Sequence, residues 1–100
     1  MHYIVGYLPV EQTKTGGPAN KILSPIVCHN GEEICLAVER LCEAIDYDLE
    51  HFEPELWDAL KDVAYFETRY VTIDLHDSPL LLDLIIGQDV MLRDKFLVET

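Results

Sequence analysis

The run Asp74-Leu75-His76-Asp77 places an imidazole between two carboxylates. A histidine beside a carboxylate can work as a general base or supply half of a metal site. Asp74 and His76 are two residues apart, so on a strand they share one face, where they equally make an ordinary surface ion pair. No motif sets a nucleophile beside them. Ser24 and Ser78 both precede proline and read as turn or cap residues. The other histidines are scattered: His2 near the start, His29 at a cap or turn, His51 between acidic segments. No catalytic residue is expected, and the chain is not read as an enzyme.

The three cysteines give no stronger signal. On a helix, Cys35 and Cys42 stand about 10 Å apart along the axis, beyond the roughly 7 Å that a disulfide spans. Cys28-His29 with Cys35 has no zinc spacing, and neither CxxC nor HxxxH occurs. Free cysteine most often behaves as a small buried hydrophobe. The acids from Asp46 to Asp58 resemble a calcium loop only superficially: the sixth position, which an EF-hand gives to glycine, is His51. Gly16-Gly17 lacks the following lysine and hydroxyl residue of a phosphate-binding loop. The expectation is therefore no metal and no cofactor.

Charge is the outstanding feature. The 100 residues carry 19 acids against 7 bases, a net charge of −12. That sign repels phosphate backbones and anionic membranes, and it attracts basic proteins. The excess is concentrated: residues 32–62 hold eleven acids and two bases, whereas residues 1–31 hold one acid and two bases. Glu39, Glu43, Asp46 and Glu50 would form a ladder on one face if a helix ran through them. Such like-charge spacing costs a few tenths of a kcal/mol per pair. Asp48, Glu53, Glu55 and Asp58 extend the field. Tyr47 and Phe52 lie among these acids as candidate exposed anchors, because aromatic side chains dominate interface energetics. Trp57 is read as core.

The elements that must position this surface are legible to different degrees. Residues 2–10 are rich in strand formers, and residues 21–28 read as a second strand whose Pro25 points to an edge or bulge. Between them, residues 11–20 are polar and glycine-rich, a flexible loop. Asn30-Gly31 fits either a tight hairpin turn or a helix cap, since Glu33 completes a capping box. Ile34, Ala37, Val38, Leu41 and Ile45 recur at helical spacing, which favours a helix over 31–46. Pro54 opens a second helix. Residues 68–76 alternate as a half-buried strand. Asp77-Ser78-Pro79 reads as a helix start and Gly87 as its stop. The segment between is apolar on nearly all sides, so it should be deeply packed or form an interface. A short helical turn and a strand through 96–98 are expected to close the chain.

The sum is a single α+β domain over residues 1–100: a small antiparallel sheet with two to three helices packed on one face. There is no signal-peptide pattern and no run able to span a bilayer. An odd number of cysteines fits a reducing cytoplasm. The size and charge fit a small non-enzymatic inhibitor. It would occupy a basic site on a nuclease or other nucleic-acid-processing protein through Glu39, Glu43, Asp46, Tyr47, Asp48, Glu50, Phe52, Glu53, Glu55 and Asp58. Toxin-immunity proteins and phage inhibitors such as anti-CRISPR proteins work in this way, with carboxylates in place of phosphates. Direct nucleic-acid and membrane partners are not expected. The competing expectation is an accessory subunit or homodimer that uses the apolar segment 80–86.

Overall fold

Two apolar strands form the centre of the molecule. The computed structural model describes residues 2–10 and 22–95. In it β1 (Tyr3–Pro9) lies between β2 (Leu23–Cys28) and β4 (Leu82–Gln88), and β3 (Val71–Leu75) lies outside β4. The order is β2-β1-β4-β3, and every neighbouring pair is antiparallel. Successive side chains on β1 point to opposite faces. Tyr3 and Val5 join a core with Ile34, Val38, Leu41 and Leu60, whereas Ile4 and Leu8 join Ile22, Ile85 and Leu92. An inner strand covered on both faces has no solvent side to mark with polar residues.

That geometry corrects one expectation. The run after Ser78 is not a helix. Residues 77–81 turn, and Leu82–Gln88 is a strand buried at every position. The Ser78 amide donates to the Leu75 carbonyl, the Leu81 amide to the Ser78 carbonyl and the Leu80 amide to Ser78 Oγ. Serine's capping chemistry thus closes a reverse turn onto β3 rather than opening a helix. An apolar run of this length fits a buried helix and a buried inner strand equally well. The tertiary partners β1 and β3 decide for the strand.

The same burial changes the competing interface reading. Leu82, Leu84, Ile85 and Ile86 lie in the core of the monomer. Of segment 80–86, only Leu80 and Leu81 are exposed, at 62 % and 55 %.

The first helix, α1 (Gly31–Ala44), begins at the expected Asn30 cap, with Glu33 reaching back one residue further than a capping box does. The Asn30 side chain accepts from the Glu33 amide at 2.9 Å, and the Glu33 carboxylate accepts from the His29 amide at 2.8 Å. The first bond satisfies one of the donors exposed at the helix start, and the second ties Glu33 to the residue before the cap. Gly31 is needed here, because a Cβ at this position would fall on the Lys61 carbonyl at the end of α2 (Pro54–Lys61). Ile34, Ala37, Val38, Leu41 and Cys42 face the sheet. Helices α1 and α2 share that face. The short α3 (Asp89–Lys95) sends Leu92 into the cluster on the other face, and Arg93 pairs with Asp89 at 2.8 Å. The α+β class therefore holds: a four-stranded antiparallel sheet with three helices packed against it. The expected loop at 11–20 and strand at 96–98 lie outside the described residues.

Helix α1 stops two residues earlier than its periodicity implies. Asp46 adopts a left-handed backbone, φ 57°. The Tyr47 amide donates to the Cys42 carbonyl at 2.8 Å and the Asp46 amide to the Glu43 carbonyl at 3.2 Å. These are the two bonds of a Schellman ending, whose left-handed position usually holds glycine. Asp46→Gly is accordingly expected to raise the urea unfolding midpoint, by up to about 1 kcal/mol of stability. Asp46→Asn, which tolerates the same backbone without the charge, shows how much of any gain comes from relieved repulsion.

Sheet edge β2 is poorly suited to pairing with another strand. Pro25 has no amide proton to offer, and the His29 amide is already held by Glu33.

Candidate acidic interface

The face of α1 opposite its buried stripe carries Glu39 and Glu43, both exposed. The left-handed turn at Asp46 ends the helix, so the expected ladder through Glu50 is broken after Glu43. The acids beyond it are instead displayed by shorter elements. Asp48 caps a 3-10 turn over Leu49–His51, its carboxylate accepting from the Glu50 amide at 2.9 Å. Glu53 precedes Pro54 at the start of α2 with no side-chain capping bond, and Glu55 and Asp58 follow on α2. All eight carboxylates, Glu39, Glu43, Asp46, Asp48, Glu50, Glu53, Glu55 and Asp58, are exposed.

Little offsets this charge. Among the described residues, the ion pairs join His76 to Asp74 and Arg93 to Asp89, and neither touches the eight acids. The last turn of α1 holds no basic residue. Glu43 there faces the negative end of the helix, an arrangement that typically costs 0.3–1 kcal/mol.

The aromatic residues divide. Phe52 is a correction to the sequence reading: it is only 8 % exposed and belongs to the core. The 3-10 turn directs it inward, where its ring lies 5.5 Å from Trp57 and 5.9 Å from Tyr47. It holds the linker to the domain and presents no surface to a partner. Trp57, read from the sequence as core, is half-buried and packs against the core from its edge. Tyr47 remains a candidate contact. It is half-buried, edge-on to the exposed His51 at 5.3 Å. Desolvation first, then the carboxylates of Asp77, Asp48 and Asp74 among neighbouring charges, raise the Tyr47 phenol above its ordinary value. Its hydroxyl therefore keeps its proton to higher pH than a free phenol does.

That environment adds residues that the sequence does not mark as part of the acidic interface. Asp74 and Asp77, from the β3 end of the sheet, act on Tyr47 together with Asp48. They are some thirty positions from Tyr47 in sequence, and only packing shows that the acidic field reaches them.

Nε2 of His76 lies 2.7 Å from Asp74 Oδ1 with both side chains about half exposed, the expected surface pair. Ser78 is buried and its Oγ accepts from the Leu80 amide. A cavity between β2 and α1, lined by Ile26, Cys28, Leu36 and Arg40 among others, holds about 170 Å³. That is below the 300–1,000 Å³ of usual ligand pockets. No histidine lines it.

The three cysteines are free thiols. Burial pushes Cys28 and Cys42 up to about 11, with Glu33 adding to the effect at Cys28. Cys35 is half-buried and also raised, chiefly by burial. Thiolate is the reactive form. In the native protein at pH 8 a maleimide reagent is expected to label Cys35 slowly and the other two hardly at all, with all three labelled in urea. Because the folded chain holds these protons more tightly than the unfolded chain, stability is unaffected below pH 9.0. It falls as the pH rises toward about 11. Urea midpoints across that range check the sign.

Fold and charge together define an acidic α+β domain whose segment 39–58 carries eight exposed, weakly neutralised carboxylates. No helix among the described residues is long and apolar enough to cross a membrane. Comparison with family models, curated proteins and solved structures finds no match.

Proposed function

We propose that this protein is a small acidic inhibitor that binds a basic nucleic-acid-processing protein and is not itself an enzyme. The observation that supports this most is the set of eight exposed carboxylates between Glu39 and Asp58 that no described basic side chain neutralises. Such a set weakens the fold through self-repulsion, and one of its members opposes a helix dipole. Facing a basic groove, the same charges speed encounter and fix orientation. The carboxylates would stand where phosphates normally bind, and the Tyr47 hydroxyl would donate from their midst. Toxin-immunity and phage anti-defence inhibitors, including anti-CRISPR proteins, are the functional types this fits. The free thiols suit a cytoplasmic setting.

The competing subunit or homodimer reading now rests on Leu80, Leu81 and Val90, the exposed apolar side chains at that side of the sequence. Affinity capture with tagged protein from its source cells or their host, at low and high salt, separates the two. The inhibitor reading expects a basic nucleic-acid-binding enzyme that is retained at low salt and lost at high salt. Capture of its own copies alone, or of a neutral partner indifferent to salt, would instead favour the apolar residues.

A further inference from the structure

We propose that Asp74, His76 and Asp83 form a divalent-cation site, and that Zn²⁺ is the ion their donors suit. The register of β3 on β4 sets Asp74 directly opposite Asp83. His76, the first residue of the turn after β3, reaches back to Asp74, with Nε2 2.7 Å from Oδ1. One ligand atom from each of the three lies within 4.8 Å of the others. Strand pairing fixes the two carboxylates, and the turn that follows β3 adds the imidazole.

One member of the cluster is buried, which sets it apart from a gathering of surface acids. His76 and Asp74 at 2.7 Å would be accounted for by an ordinary surface ion pair. Asp83 is different: it is 6 % exposed, on an inner strand, flanked across the sheet by Leu8 on β1 and by Asp74 on β3. Like charges directly opposite on paired strands repel, and removal from water strengthens that repulsion. A dication placed between the two carboxylates turns it into attraction.

The donor set selects the class of ion. Magnesium and calcium take oxygen ligands, whereas an imidazole beside carboxylates suits zinc and its transition-metal neighbours. At Zn–N and Zn–O distances of about 2.0–2.1 Å, tetrahedral ligand atoms stand about 3.3 Å apart. The exposed Asp74 and His76 can rotate to close that gap, with the buried Asp83 as the fixed ligand. Three protein ligands leave a fourth position for water or for a group on a partner.

The test is calorimetric titration of Zn²⁺ into chelator-treated full-length protein, with Co²⁺ as the spectroscopic probe. One-to-one binding is expected, weakened at least about 100-fold by His76→Gln and by Asp74→Asn, both exposed positions whose variants should stay folded. Cys35→Ser should bind as the parent does. Co²⁺ should give visible bands of nitrogen and oxygen coordination without a thiolate charge-transfer band. No one-to-one binding to the parent chain, binding that survives His76→Gln, or a thiolate band would each overturn the assignment. None of these readouts involves a protein partner, so they are independent of the inhibitor proposal.

Discussion

A chain carrying Glu39→Lys, Glu43→Lys and Asp46→Lys is expected to fold about as well as the parent and to lose its basic partner. The three changes move the net charge by six units toward neutral, from −12. All three side chains are exposed, so no buried contact is lost. A lysine at 43 meets the helix dipole with the favourable sign, a gain of about 0.3–1 kcal/mol. A lysine at 46 is less at ease than aspartate in the left-handed backbone there, φ 57°, which offsets part of that gain. Binding should respond far more strongly. Close charge pairs across an interface couple by about 1.5 kcal/mol or more each, and reversal replaces attraction with repulsion. A loss of at least about 100-fold in affinity is expected, at the rate of tenfold per 1.4 kcal/mol. Chemical denaturation and partner titration on the same preparation measure both quantities. Retained binding in the folded variant would show that these acids only keep the chain dispersed.

Ile85→Asp is expected to abolish folding, whereas Leu81→Asp is expected to be tolerated. Ile85 is fully buried, on an inner strand, among Ile4, Leu8, Ile22 and Leu92. A carboxyl group in that apolar cluster has no solvent and loses the packing of the isoleucine. The cost should exceed about 5 kcal/mol, comparable to the entire stability of a domain this size. Leu81 is more than half exposed and left-handed, φ 48°. Aspartate accepts that backbone more readily than leucine does, and the hydrogen bonds at this residue, from the Val10 amide to its carbonyl and from its own amide to the Ser78 carbonyl, involve backbone only. Circular dichroism and urea melts of the two variants check the contrast. If Leu81→Asp also converted a dimer to a folded monomer, the leucines of the turn would be an interface.

Strand β1, strand β2, helices α1 and α2, and strand β3 were legible because each keeps a periodicity or a boundary signal of its own. Asn30 caps α1, Pro54 opens α2, and residues 71–75 alternate. Strand β4 was not legible, because an inner strand buried on both faces has lost the alternation that identifies strands. Ser78-Pro79 then supplied a helix signal that the fold uses for a turn. The composition of the acidic surface could be read directly, since every one of its carboxylates is exposed. Its shape could not. The left-handed Asp46 replaces the long helical ladder with a turn and a second helix, and the same turn takes Phe52 into the core. Asp74 and Asp77 join the field of Tyr47 only through tertiary packing. The cross-strand pairing of Asp74 with Asp83 was equally hidden, because it depends on β4 being a strand in that register.

The central claim is that this acidic face takes the place of nucleic acid on a basic protein. The most direct measurement is competition on the captured partner: labelled duplex or single-stranded nucleic acid is bound to it, and the acidic protein is titrated in. The expected result is stoichiometric displacement that weakens steeply with added salt and is absent with the Glu39, Glu43 and Asp46 reversal. Simultaneous binding of the acidic protein and the nucleic acid, with neither weakening the other, would contradict it.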